Sequence, residues 1–231
     1  MIESLSITFE DGITNTWGFD FSAMGTWNVP IHIPPVEFLI HQSWIKLDCH
    51  KCPQCTLPSS PTALCPVAVL LAQYALDLKP RSSFEEVDVV VVHSGKRRTE
   101  LKRQRLPRVV SELVRLAVFQ SRCPVGRKLK PAMRRLAPFP SSEEILHALA
   151  IFFLIEDAGG DVGKTGDVEM DYLRALHLVF KHLSKRLREI GEGDAAVNGV
   201  IVMDAISQLF AVSAPNVIRK TIAEFQGAQS S

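Results

Sequence analysis

Four of the five cysteines in this chain fall within 17 residues. This density is more typical of a metal site than of cysteines scattered through a core. Cys52 and Cys55 form a Cys-x-x-Cys pair, a spacing that lets a tight turn aim two thiolates at one centre. Cys65 precedes a predicted helix, whose positive N-terminal end favours a thiolate. Cys123 is distant but follows another predicted helix that can return it to the same place. The sequence therefore predicts one metal site formed by Cys52, Cys55, Cys65 and Cys123.

The spacing favours zinc as the metal and leaves an iron–sulfur cluster open. Four thiolates complete a tetrahedral structural zinc site, with Cys49 or His50 as a spare or supporting group. An iron–sulfur cluster is the alternative, although the interval before the last Cys-Pro is longer here than in ferredoxins. A redox dithiol at Cys52 and Cys55 is a third interpretation, and burial of the cysteines as small core side chains is the simplest one.

Motifs around the cysteines resemble those of a bacterial family of unknown function. This family has a strand pair with a Gly turn, Cys-x-x-Cys-Pro-Leu, Ser-Gly-Cys-Pro and a helical C-terminal half. The chain departs from it at Arg122 and Thr56, has an extra Cys49, and lacks a histidine near Leu136. The resemblance implies that the four cysteines act as a set, but it implies no activity. It is carried by Lys51-Cys52-Pro53-Gln54-Cys55, Cys65-Pro66, Ser121-Arg122-Cys123-Pro124, Lys130-Pro131-Ala132-Met133 and Pro138-Phe139.

The chain start and the cysteine usage predict a cytoplasmic protein. The first six residues contain Glu3 and no basic patch, and no apolar signal segment comes after them. The apolar stretches over 64–78 and 148–155 are shorter than the roughly 20 residues that span a bilayer. Five cysteines, an odd number, suit reduced thiols and metal binding better than a disulfide framework.

Positive charge is concentrated in one segment, although the net charge of the chain is only +1. Residues 96–135 contain 14 Lys and Arg against Glu100 and Glu112, whereas the rest has 12 basic and 23 acidic residues. Such a band can contact an anionic partner, either nucleic acid or an acidic protein. It can equally pair with acids of the same fold, and Phe119 and Phe139 alone offer little base stacking.

A second motif resembles a nucleotide site. Residues 158–165 satisfy a relaxed P-loop pattern with Lys164 and Thr165, and Val200–Asp204 reads as an apolar strand ending in a magnesium-binding Asp. A P-loop needs a preceding strand and a helix that begins at its Lys-Thr. Here helix signals precede the segment, and Gly166 interrupts any helix that begins at Lys164. A Gly-rich turn between helices is therefore the favoured interpretation.

The predicted elements define an α+β fold with a strand-rich N-terminal region and a mainly helical remainder. We expect a β-hairpin around the Glu10-Asp11-Gly12 turn, with Trp17–Phe21 in its second strand. A single domain over 1–231 divides into a cysteine-containing region, 1–65, and a helical region, 66–231, with one strand at 86–93. Helices are predicted over 66–76, 106–120, 142–156, 170–188, 197–210 and 215–225.

Together these features favour a zinc-stabilised binding or regulatory protein over an enzyme. No nucleophile elbow or Ser/His/Asp order is present. The alternatives are an iron–sulfur or thiol redox protein and, behind them, a nucleotide-dependent enzyme using Lys164, Thr165 and Asp204, or a nucleic-acid-binding protein.

Overall fold

The computed structural model describes residues 2–18, 35–93, 95–133, 136–152, 168–190 and 194–205, together with residues 208, 216 and 220. A four-stranded antiparallel sheet occupies the N-terminal half of the chain and helices dominate the rest, so the predicted α+β class is confirmed. No helix in these ranges is long and apolar enough to cross a membrane.

The described residues contain strands and helices in the following order. Four strands are β1 (Ile2–Thr8), β2 (Thr14–Gly18), β3 (Glu86–His93) and β4 (Arg98–Arg105). The helices are α1 (Val36–Ile40), α2 (Pro66–Leu78), α3 (Leu106–Gln120), α4 (Pro124–Lys128), α5 (Lys130–Met133), α6 (Ser142–Phe152) and α7 (Val168–Arg188). Residues 195–205 are also helical.

The sheet has the order β2-β1-β3-β4 and buries one face against the helices. Leu5 of β1 lies opposite Trp17 of β2 and Val91 of β3, and all three are fully buried. The other face carries hydroxyl pairs such as Ser6–Thr16, whose oxygens are 2.8 Å apart. This alternation of apolar and polar side chains is what a half-buried sheet requires.

Most predicted elements are confirmed. The hairpin forms around the Gly12 turn, β3 and α3 have the expected bounds, and Pro66 opens α2. At the start of α6, the Ser141 N–H donates to Glu144 (2.7 Å) and the Glu144 N–H donates to the Ser141 hydroxyl (3.1 Å), which is the predicted capping box. The predicted strand residues 19–21, the alternating segment 27–34 and most of the last helix lie outside the described residues.

Two features differ from the expectations. The basic segment contains a strand, β4, which is not predicted, because the strand at 86–93 is the only one expected after residue 65. Helix α3 is buried nearly all round, because helices cover the side away from the sheet. Glu112 and Arg115, expected on a polar face, are therefore interior residues, and they form a two-point ion pair with each other.

Candidate metal centre

The four predicted ligands line one small cavity of about 30 Å³. It lies between α2, α4, α7 and the segment over residues 46–65, which we call the cysteine loop. Three separate stretches of the chain supply the ligands, so their convergence is a property of the fold. The cavity is far smaller than the several hundred Å³ typical of sites for organic ligands. Its lining includes Cys52, Cys55, Cys65, Cys123, Leu57, Val179, Leu183 and Arg186.

A tight turn holds the first two cysteines. The N–H of Cys55 donates to the carbonyl of Cys52 at 3.0 Å, which closes the Cys-x-x-Cys segment into a turn. The loop is pinned at its base, where Leu47 N–H donates to Ala63 (2.7 Å) and Cys65 N–H donates to Ile45 (2.8 Å). These bonds bring Cys65 back beside the turn at the residue preceding α2.

Cys123 occupies the same position before α4 that Cys65 occupies before α2. In each case a proline comes next and takes the first helical position, where it costs no intrahelical hydrogen bond. The buried hydroxyl of Ser121 donates to Val118 (3.0 Å) and accepts from the Cys123 N–H (3.2 Å). Ser121 thus fixes the turn from α3 to α4 and places the thiol at the cavity.

Burial raises the pKa of two of the four thiols, Cys52 and Cys123. The pKa of Cys52 is raised to about 12 by loss of solvation and by the neighbouring Cys65 and Cys123 thiols, whereas the positive charge of Arg186 opposes the rise. The pKa of Cys123 is raised to about 11 by burial, although hydrogen bonds from the Gly126 and Val125 backbone lower it. The Cys65 thiol contributes to the raised pKa of both Cys52 and Cys123, because these side chains lie close together.

Cys49 and His50, the two additional candidate ligands, do not line the cavity. Cys49 is half-buried, and its pKa is raised by loss of solvation, with Arg186 opposing. His50 faces away, because its Nε2 lies 3.2 Å from a Glu189 carboxylate oxygen. Its backbone has a positive φ of 45°, and its carbonyl accepts a hydrogen bond from His182 Nδ1 at 3.0 Å. These contacts hold the cysteine loop against α7.

Arg186 is the residue of this site that the sequence does not reveal. We expect it on the exposed side of α7 with Lys185 and Arg188, but it is only 2% exposed. The signal in the sequence is its position, one turn after Leu183 and beside Leu187, both of which are buried. No pattern of residue types distinguishes this arginine from its exposed neighbours.

Part of the basic band is paired with acids of its own fold. On β4, Arg98 pairs with Glu100 (2.9 Å), Lys102 with Asp88 (2.9 Å) and Arg103 with Glu86 (2.8 Å). Charged side chains along an edge strand also discourage pairing with another chain. These ion pairs involve three of the 14 basic residues of the band, and an anionic partner gains no support from them.

The nucleotide interpretation loses one of its two elements. Residues 200–204 are helical, in agreement with the helix predicted over 197–210, so the alternative interpretation of Val200–Asp204 as a strand ending in a magnesium-binding Asp is wrong. Asp204 instead lies 2.9 Å from His177 Nδ1 of α7. The P-loop-like segment, with Lys164 and Thr165, lies outside the described residues.

Gly126 offers a direct test of how the fold positions Cys123. A Cβ added there would lie 2.3 Å from the carbonyl oxygen of Val118, so α4 must move away from α3 to accommodate it. We expect Gly126→Ala to cost roughly 1–3 kcal/mol of unfolding free energy, as overpacking does. Urea unfolding followed by tryptophan fluorescence measures this, with exposed Arg127→Ala on the same helix as control. A Gly126→Ala protein as stable as the parent would show that α4 is not held closely against α3.

The fold and the site define an α+β protein with a cysteine-lined cavity between its helices. The family model described as "Domain of unknown function (DUF6901)" matches residues 8–229. The chain therefore belongs to this family, and the predicted membership in a family of unknown function is confirmed at that level. No curated protein and no solved structure matches the chain.

Proposed function

We propose that this protein is a non-enzymatic binding or regulatory protein whose fold is stabilised by one zinc ion held by Cys52, Cys55, Cys65 and Cys123. The observation that carries the proposal is that cysteines from three separate segments line one ion-sized cavity. A zinc ion there would join the cysteine loop, the start of α2 and the α3–α4 turn. It would act as a crosslink rather than as a reaction centre.

The described residues contain no group of three or more His, Cys, Asp or Glu side chains arranged to hold a metal as they stand. The proposal therefore requires the thiols to turn inward when the ion binds. We infer that each thiol makes this turn by rotation about the single side-chain torsion between its backbone and its sulfur. Four deprotonated sulfurs at about 2.3 Å then complete a tetrahedron.

Cysteine spacing and thiol chemistry favour zinc over the redox alternatives. The interval between Cys55 and Cys65-Pro66 is longer than the interval before the last Cys-Pro of bacterial ferredoxins. Thiol–disulfide exchange depends on an available thiolate, yet burial raises the pKa of both Cys52 and Cys123 well above neutrality. A divalent metal overcomes this barrier because it displaces the thiol protons as it binds.

Single cysteine replacements test the ligand set. We expect Cys52→Ser, Cys55→Ser, Cys65→Ser and Cys123→Ser each to reduce bound zinc from about one per chain to well below half, because a hydroxyl is a poor zinc ligand. Cys49→Ser is the matched control, since Cys49 shares the loop but lies outside the cavity. Zinc is measured by mass spectrometry on equal amounts of folded protein. Equal zinc loss in all five variants would refute the assignment of ligands.

A further inference from the structure

Arg186 carries a buried positive charge that has no carboxylate partner among the described residues. Its Nη1 donates to the carbonyls of Trp44 (2.9 Å) and Lys46 (2.5 Å), and its Nη2 donates to that of Leu47 (2.8 Å). These three acceptors are neutral. Because a buried ion without a counter-charge is costly, this arrangement favours a negative charge close by.

The cysteine cavity is where that charge can form. Arg186 lines it together with the four cysteines, whereas Glu189, which directly follows α7, contacts His50 instead. Protonated thiols are neutral and do not compensate the positive charge of the guanidinium. Four thiolates around a divalent metal, by contrast, carry a net charge of −2, so occupation of the site turns it into an anion.

We propose that Arg186 is the counter-charge of a metal–tetrathiolate centre and, through its three carbonyl contacts, the residue that holds the cysteine loop in the position for metal binding. This inference rests on the proposed zinc site and adds a ligand preference to it. A centre with two imidazoles and two thiolates is neutral and would gain nothing from the arginine. Arg186 therefore favours a centre in which four thiolates leave a net negative charge, as they do around a divalent ion.

Metal affinity of Arg186 variants tests this role. Apo protein of the full chain is titrated with zinc in competition with a chromophoric chelator at fixed pH. We expect Arg186→Gln to weaken zinc binding about 10- to 100-fold, the range usual for residues that support metal ligands. Arg186→Lys keeps the charge but cannot reproduce the three carbonyl contacts of the guanidinium, so its zinc affinity should fall between those of Arg186→Gln and the parent. Exposed Arg188→Gln, two residues away, should match the parent.

The outcomes separate this inference from the proposed function. If folded Arg186→Gln binds zinc as tightly as the parent does, the role of Arg186 is overturned and the zinc site is left intact. A purely structural role would make both Arg186 variants less stable without metal, with unchanged zinc affinity per folded chain, and would likewise overturn it. Parent protein that binds no zinc would refute the proposed function, and this inference with it. Circular dichroism establishes which variants are folded. If Arg186→Gln does not fold, the zinc affinity of Arg186→Lys still tests the role of Arg186.

Discussion

Chelation of the metal should lower the melting temperature of this protein by on the order of 10 °C. A ligand present at about 1,000 times its Kd stabilises the native state by about 4 kcal/mol, and tightly bound zinc contributes at least that much. For a chain of this length, each kcal/mol corresponds to roughly 2–4 °C. The effect should be large because the crosslink joins segments that are distant in sequence.

The measurement is a thermal melt followed by circular dichroism, with and without an excess of a strong chelator, under reducing conditions. Cys123→Ser should melt at the lower temperature in both conditions, whereas Cys49→Ser should respond as the parent does. Re-addition of zinc should restore the parent's melting temperature. A chelator-insensitive parent that nevertheless contains zinc would mean that the metal does not stabilise the fold.

Replacing Glu112 with Gln should destabilise the protein by about 3–5 kcal/mol, the usual cost of leaving a buried ion unpaired. Glu112 and Arg115 are 3% and 4% exposed, and both carboxylate oxygens accept hydrogen bonds from the guanidinium. Arg115 has only one further acceptor among the described residues, the Met133 carbonyl at 3.4 Å, which is a long contact. In Glu112→Gln the guanidinium of Arg115 therefore stays buried without a carboxylate to pair with.

Urea unfolding followed by the fluorescence of Trp17 and Trp44, both buried, measures this loss. Removing the other charge as well, in the double variant Glu112→Leu, Arg115→Met, should recover most of it, because a well-packed apolar pair can replace a buried ion pair. Lys102→Gln, which breaks an exposed ion pair with Asp88, is the control and should leave stability almost unchanged. A small loss in Glu112→Gln would indicate that Arg115 finds solvent when its partner is removed.

The strongly patterned elements are predictable from the sequence because their local signals agree with their tertiary surroundings. β3 is valine-rich and ends at a turn, and Ser141 with Glu144 specifies the start of α6. β4 escapes prediction because an edge strand with a solvated face has little apolar alternation. Its signals are the turn at Gly95, which has a positive φ of 85°, and the alternating, partly buried Thr99 and Leu101.

The sequence predicts which cysteines form the candidate site, but it does not predict which other residues surround them. Spacing alone groups Cys52 with Cys55, and the Cys-Pro pairs mark Cys65 and Cys123 as residues that precede helices. The position of Arg186 depends on how α7 packs across the cysteine loop, and no local pattern encodes that packing. The burial of Arg115 likewise depends on which helices cover α3.

The most direct test of the zinc site is metal analysis of protein purified anaerobically without a metal-affinity tag, with the absorption spectrum recorded on the same sample. We predict about one zinc per chain and no visible absorption. Iron with acid-labile sulfide and a brown colour would instead indicate an iron–sulfur protein. Protein that is folded, stable and free of metal would contradict the claim that these four cysteines form a metal centre.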